Sequence, residues 1–123
     1  MIRHFIQVCV IACIGIGAFS DVAPARTPYD GNWSVLIVTQ RGSCDRAYRY
    51  GVQIVNGRVV YNGGVVNFSG RVTARGQVRV SVSSGSGRAN GSGRLSRNAG
   101  NGRWSGVSGN DRCSGYWTAE RRG

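Results

Sequence analysis

Polar and apolar residues alternate with a period of two through most of the chain beyond residue 26. In residues 77–83, Val78, Val80 and Val82 fall on one side, with Gln77, Arg79 and Ser81 on the other. Val72 and Ala74 oppose Arg71, Thr73 and Arg75 in the same way, and Ala89, Gly91, Gly93 and Leu95 oppose Arg88, Asn90, Ser92 and Arg94. Tyr48, Tyr50, Val52 and Ile54 share one face of a further segment. A period of two belongs to strands with one face buried, and no stretch sustains the 3.6-residue period of a helix. The pattern predicts strands at 32–40, 46–55, 58–62, 65–74, 77–83, 88–96, 101–107 and 113–121.

Asn56-Gly57, Asn62-Gly63, Arg75-Gly76 and Asn101-Gly102 read as tight turns, because asparagine and glycine tolerate positive φ. Residues 83–87, Ser-Ser-Gly-Ser-Gly, form a looser connection. Strands recurring at roughly ten-residue intervals indicate an all-β antiparallel meander rather than alternating strands and helices. Such a meander closes into a small barrel or divides into a two-sheet sandwich. Inward positions beyond residue 85 are small, so that wall must pack closely or curve sharply.

The N-terminal segment has a different pattern. Arg3 precedes an apolar run from Phe5 to Phe19, and Ala23-Pro24-Ala25 follows. A positive start, a short apolar run and an A-x-A site are the layout of a secretory signal peptide, too short for an ordinary membrane span. Residues 1–25 are therefore expected to be removed, leaving one domain at 26–123 in the periplasm or outside the cell. An uncleaved anchor is the alternative. Val10-Ile11-Ala12-Cys13 also resembles a lipobox, which makes a lipoprotein at Cys13 a minor alternative.

Export changes the reading of the cysteines. Cys44 and Cys113 are the two that remain, and an oxidising compartment favours a bridge between them. If the first and last strands pair antiparallel, Cys44 just past the first and Cys113 at the start of the last fall at the same end.

The 123-residue chain carries a formal charge of +11, and all of its sixteen basic residues are arginines. Beyond residue 25 it has no histidine, lysine or methionine. That inventory removes Ser-His and Ser-Lys nucleophiles, Schiff-base amines and imidazole-bound zinc. Four acids remain, Asp30, Asp45, Asp111 and Glu120. Their neighbours suggest turn caps and ion pairs rather than a carboxylate pair for glycoside hydrolysis. The expectation is a protein that is not an enzyme and uses no metal or cofactor.

The arginines are the candidate chemistry. Arg71, Arg75, Arg79, Arg88, Arg94 and Arg103 are expected on outward positions of consecutive strands, where they would form a basic face. Guanidinium groups bind phosphate, sulfate and carboxylate bidentately. The expected partner is a polyanion such as lipopolysaccharide or an acidic polysaccharide. Nucleic acid is disfavoured because export separates the protein from it and outward aromatics are few. Arginine in place of lysine also follows from a GC-rich genome, and high net charge keeps a small domain soluble. Two other classes of function stay open: a secreted protease inhibitor of small β-barrel type, with residues 26–31 as the projecting segment, and a structural or matrix protein.

The motifs Tyr29-Asp30-Gly31-Asn32-Trp33, Gly102-Arg103-Trp104-Ser105-Gly106 and Cys113-Ser114-Gly115-Tyr116-Trp117-Thr118-Ala119-Glu120-Arg121 mark the domain from end to end. Over roughly residues 29 to 122 the chain resembles a family of short exported bacterial proteins of unknown function, whose β-domain starts D-G-x-W and ends W-T-A-E-R. The resemblance implies a bacterial envelope or extracellular setting, a Cys44–Cys113 bridge and structural roles for Trp33 and Trp117. It brings no activity. With Trp104, those two tryptophans are expected to plug a barrel end.

Overall fold

The computed structural model describes residues 27–123. The expected signal peptide and the Cys13 lipobox lie outside the described residues. Within them the chain forms eight strands: β1 (Gly31–Arg41), β2 (Ala47–Val55), β3 (Arg58–Val60), β4 (Asn67–Val72), β5 (Gln77–Ser84), β6 (Gly87–Leu95), β7 (Ala99–Ser108) and β8 (Asp111–Arg121). Each pairs antiparallel with its neighbours in sequence, and β1 also pairs with β8, so the meander closes into a barrel. The sandwich alternative is thereby excluded. No helix among the described residues is long and apolar enough to cross a membrane.

Local chemistry explains most of the reversals. Asn56 and Gly57 take φ of 52° and 80°, as a tight β2–β3 hairpin requires. Between β4 and β5, the Thr73 amide donates to the Gln77 carbonyl (2.9 Å), and the Thr73 hydroxyl accepts from the Gln77 amide (3.1 Å). This closure at Thr73 ends β4 early. Ala74 and Arg75 therefore occupy the exposed tip of the turn, not the inward and outward strand positions expected of them.

A second expectation also fails. Asn101-Gly102 is not a turn but lies within β7. The β6–β7 reversal falls earlier, where the Ser96 amide donates to the Ala99 carbonyl at 2.7 Å. Gly102 stands in the strand because the Ser92 carbonyl and the Trp117 indole occupy the space above it. Asn62-Gly63, for its part, sits in an irregular connection between β3 and β4 rather than a tight turn.

The core is concentrated at one end of the barrel. Trp33, Val52, Ile54, Val72, Val78, Leu95, Trp117 and Ala119 form a buried cluster where β1, β3, β5 and β7 begin. Trp33, 2% exposed, is the most deeply buried large side chain. Its Nε1–H donates to the Tyr29 carbonyl at 2.8 Å, which meets the need of a buried indole for a polar partner. Trp33 and Trp117 thus plug this end as expected. Trp104 does not join them: it is half-buried on the interior wall, and its Nε1–H donates to the Val38 carbonyl at 3.0 Å.

Cys44 and Cys113 are disulfide-bonded at the opposite end, with Cα atoms 6.1 Å apart. Pairing of β1 with β8 brings them together, as the meander requires. The bridge holds the β1–β2 loop down, and Asp111 reinforces it by accepting from the Ser43 amide (2.8 Å) and the Ser43 hydroxyl.

Candidate anion-binding face

Strand register decides which arginines are neighbours. Arg58 on β3 faces Arg71 on β4, and Arg71 faces Arg79 on β5. Arg79 then faces Ser92 on β6, and Ser92 faces Arg103 on β7. Four arginines therefore lie in one row across five strands. Arg94, two residues beyond Ser92, is a diagonal neighbour of both Arg79 and Arg103. Adjacent strands stand about 5 Å apart, so Arg58, Arg71 and Arg79 form an unbroken ladder of like charge. All five side chains are exposed.

A second row runs beside the first. Ser69 faces Ser81, Ser81 faces Asn90, Asn90 faces Ser105, and Ser105 faces Ser114. The Ser81 hydroxyl donates to Asn90 Oδ1 at 2.9 Å. These side chains are short and uncharged, so the arginines beside them border a low strip of hydroxyl and amide groups. Hydroxyls add hydrogen bonds to the same oxyanions that guanidinium groups bind.

Of the six arginines expected to act together, the register unites Arg71, Arg79, Arg94 and Arg103. Arg75 sits on the β4–β5 turn. Arg88 lies toward the disulfide end of β6, facing Ser83 and Val107 rather than another arginine. Arg58 belongs to the row although it was not among the six. Its signal was its position immediately after Asn56-Gly57, which fixes the β2–β3 register.

No acid balances the row. Among the described residues the one ion pair joins Arg122 to Glu120 at 3.0 Å, with both side chains largely exposed. Asp30 and Asp111 serve the backbone instead. Asp30 accepts from the Asn56 amide (2.7 Å), the Gly57 amide (3.1 Å) and the Thr27 hydroxyl (2.7 Å). Desolvation alone would raise its pKa, but these hydrogen bonds outweigh it and hold the carboxyl below its usual range. The Asp111 pKa is lowered chiefly by the Ser43 hydroxyl, then by the Ser43 amide. Among the described residues no three histidine, cysteine or acidic side chains cluster as metal ligands would.

Arg121 has a structural task that its sequence position does not announce. It lies over the Trp33 ring, 4.9 Å from the centroid. Its guanidinium donates to the carbonyls of Asp30 (2.8 Å), Pro28 (2.5 Å) and Arg97 (2.8 Å). Together with the Asp30 contacts, this folds residues 27–31 back onto the barrel. Residues 27–31 of the segment expected to project in the inhibitor reading are thus pinned, because their backbone carbonyls and the Trp33 indole face engage Arg121.

Comparison with protein-family models, curated proteins and solved structures finds no match to this chain. The class that geometry defines is an eight-stranded meander barrel with a Cys44–Cys113 disulfide and a row of exposed arginines on its outside.

Proposed function

We propose that this domain is an exported, non-catalytic binding protein that holds a polyanion of the bacterial envelope, lipopolysaccharide or an acidic polysaccharide, on its arginine face. One observation carries the reading: Arg58, Arg71 and Arg79 stand directly opposite one another with no carboxylate paired to any of them among the described residues. Like charges placed directly across a sheet are destabilising, by roughly 0.2–1 kcal/mol a pair. A bound chain of phosphates, sulfates or carboxylates relieves that repulsion and gains bidentate hydrogen bonds. Arginine composition and solubility account for the number of charges but not for their alignment.

The test is salt-dependent retention on immobilised heparin. Arg71→Gln with Arg79→Gln is compared with Arg46→Gln with Arg97→Gln, which removes the same charge from elsewhere on the exposed surface. The row variant is expected to elute at clearly lower salt than the control variant. Equal elution reduces the arginines to a solubility device.

A further inference from the structure

The barrel is filled at one end only. Beyond the buried cluster, toward the disulfide, the interior holds a cavity of about 550 Å³. Val35, Ile37, Phe68, Val80, Val82 and Trp104 form much of its wall. Protein interiors are packed nearly as densely as organic crystals, with few voids larger than a water molecule. This one is far larger than that. It falls within the roughly 300–1,000 Å³ of small-molecule sites.

The sequence explains the space. Inward positions on β1, β2, β4 and β5 carry valine, isoleucine, tyrosine and phenylalanine. Toward the same end of β6 and β7, Ala89, Gly91 and Gly106 reach inward with almost nothing. One wall is therefore bulky, and the other is bare apart from Trp104.

The chemistry of the lining restricts the occupant. No charged or polar residue is buried, and no buried side-chain nitrogen or oxygen lacks a partner among the described residues. Water in the deep part of the cavity finds few partners, so an apolar body replaces it favourably. The mouth differs. Ser43, Ser83 and Ser84 line it together with the charged Asp45 and Arg88, and Tyr48 stands there 51% exposed, stacked on Tyr50 with ring centroids 5.5 Å apart. Desolvation, then the neighbouring Tyr48, raises the Tyr50 pKa, which keeps that phenol neutral.

We infer that the barrel interior is a binding site for a small molecule with an apolar body and one polar end, the body lying against Val80, Val82 and Trp104 and the polar end at the hydroxyl-bearing mouth. This site uses residues on the opposite face of the strands from the arginine row, so each reading stands or falls alone.

The test titrates the exported chain with N-phenylnaphthylamine, an uncharged probe that fluoresces in apolar surroundings, and displaces it with dodecanol. Saturable binding at one site is expected, together with a melting temperature that rises with dodecanol, because a ligand that binds the folded state stabilises it. Ala89→Phe and Val82→Phe each project a ring into the space. Each is expected to weaken the probe by about tenfold or more, while the melting temperature is kept or raised. Arg71→Gln with Arg79→Gln is expected to leave probe affinity unchanged. Non-saturable binding, or a probe indifferent to both phenylalanine variants, overturns the inference. The dodecanol melt requires no variant, so absence of a thermal shift overturns it even if a substituted chain does not fold.

Discussion

Trp117 and Gly102 face each other across β8 and β7, and the indole fills the space where a Gly102 side chain would stand. A Cβ there would lie 2.5 Å from Trp117 Nε1 and closer still to the Ser92 carbonyl oxygen. The same ring reaches β6, where a Cβ on Gly93 would meet it at 2.5 Å and where its Nε1–H donates to the Ser92 carbonyl at 3.2 Å. One indole thus spans three strands, and two glycines make room for it. Gly102→Ala is expected to destabilise the domain by about 1–3 kcal/mol through overpacking, read as a lower urea midpoint. An unchanged midpoint would mean that both the indole and the Ser92 carbonyl can move aside at no cost.

That relationship also marks where the sequence was legible and where it was not. Val78, Val80 and Val82 against Gln77, Arg79 and Ser81 gave both faces of β5, because a strand half in water writes its burial into alternate positions. Asn56-Gly57 was legible for the same local reason: positive φ is a property of those two residues. Asn101-Gly102 has the same chemistry, yet Gly102 is demanded by a ring fifteen positions nearer the C-terminus, which no local pattern records. The arginine face was half legible. Outward placement follows from period two, but the alignment of Arg58, Arg71 and Arg79 depends on register, set by turns whose closing residue was misjudged at Thr73. The cavity could not be read at all, since it depends on which walls face each other.

The disulfide is expected to contribute strongly to stability. It links residues 69 positions apart and anchors the β1–β2 loop to β8. Replacing Cys44 and Cys113 together with serine is expected to cost about 2–5 kcal/mol. Chemical denaturation of the double variant beside the oxidised parent measures this. A midpoint equal to the parent's would leave Ser43 and Asp111 as sufficient anchors.

Asp30 clips the start of β1 to the β2–β3 turn. Asp30→Ala leaves the Asn56 and Gly57 amides without their acceptor, and the expected loss near neutral pH is about 1–3 kcal/mol. Because the carboxyl titrates below its unfolded value of about 3.9, its contribution is full above that value. The contribution is lost as pH falls through the lower folded-state pKa. The gap between Asp30→Ala and the parent should therefore close in acid. A gap that stays constant from neutral pH to below the carboxylate range would show that the charge is not what matters.

Arg71 sits between two like charges, so its removal is expected to act in opposite directions on stability and on binding. Arg71→Gln relieves repulsion from both Arg58 and Arg79, and the free domain should gain about 0.4–2 kcal/mol at low salt, roughly 0.2–1 kcal/mol for each pair. The gain should shrink as salt rises, since exposed charges are screened within about 10 Å at 0.1 M. Retention on heparin should fall in the same variant. Arg71→Lys separates charge from geometry: it keeps the repulsion but loses the planar fork that grips an oxyanion bidentately. It should therefore bind less well than the parent without gaining stability. Urea midpoints at two salt concentrations, set beside heparin elution, give all the readings needed. If Arg71→Gln loses stability at low salt, the row is held together by contacts within the sheet, and the case for an anion lying along it collapses.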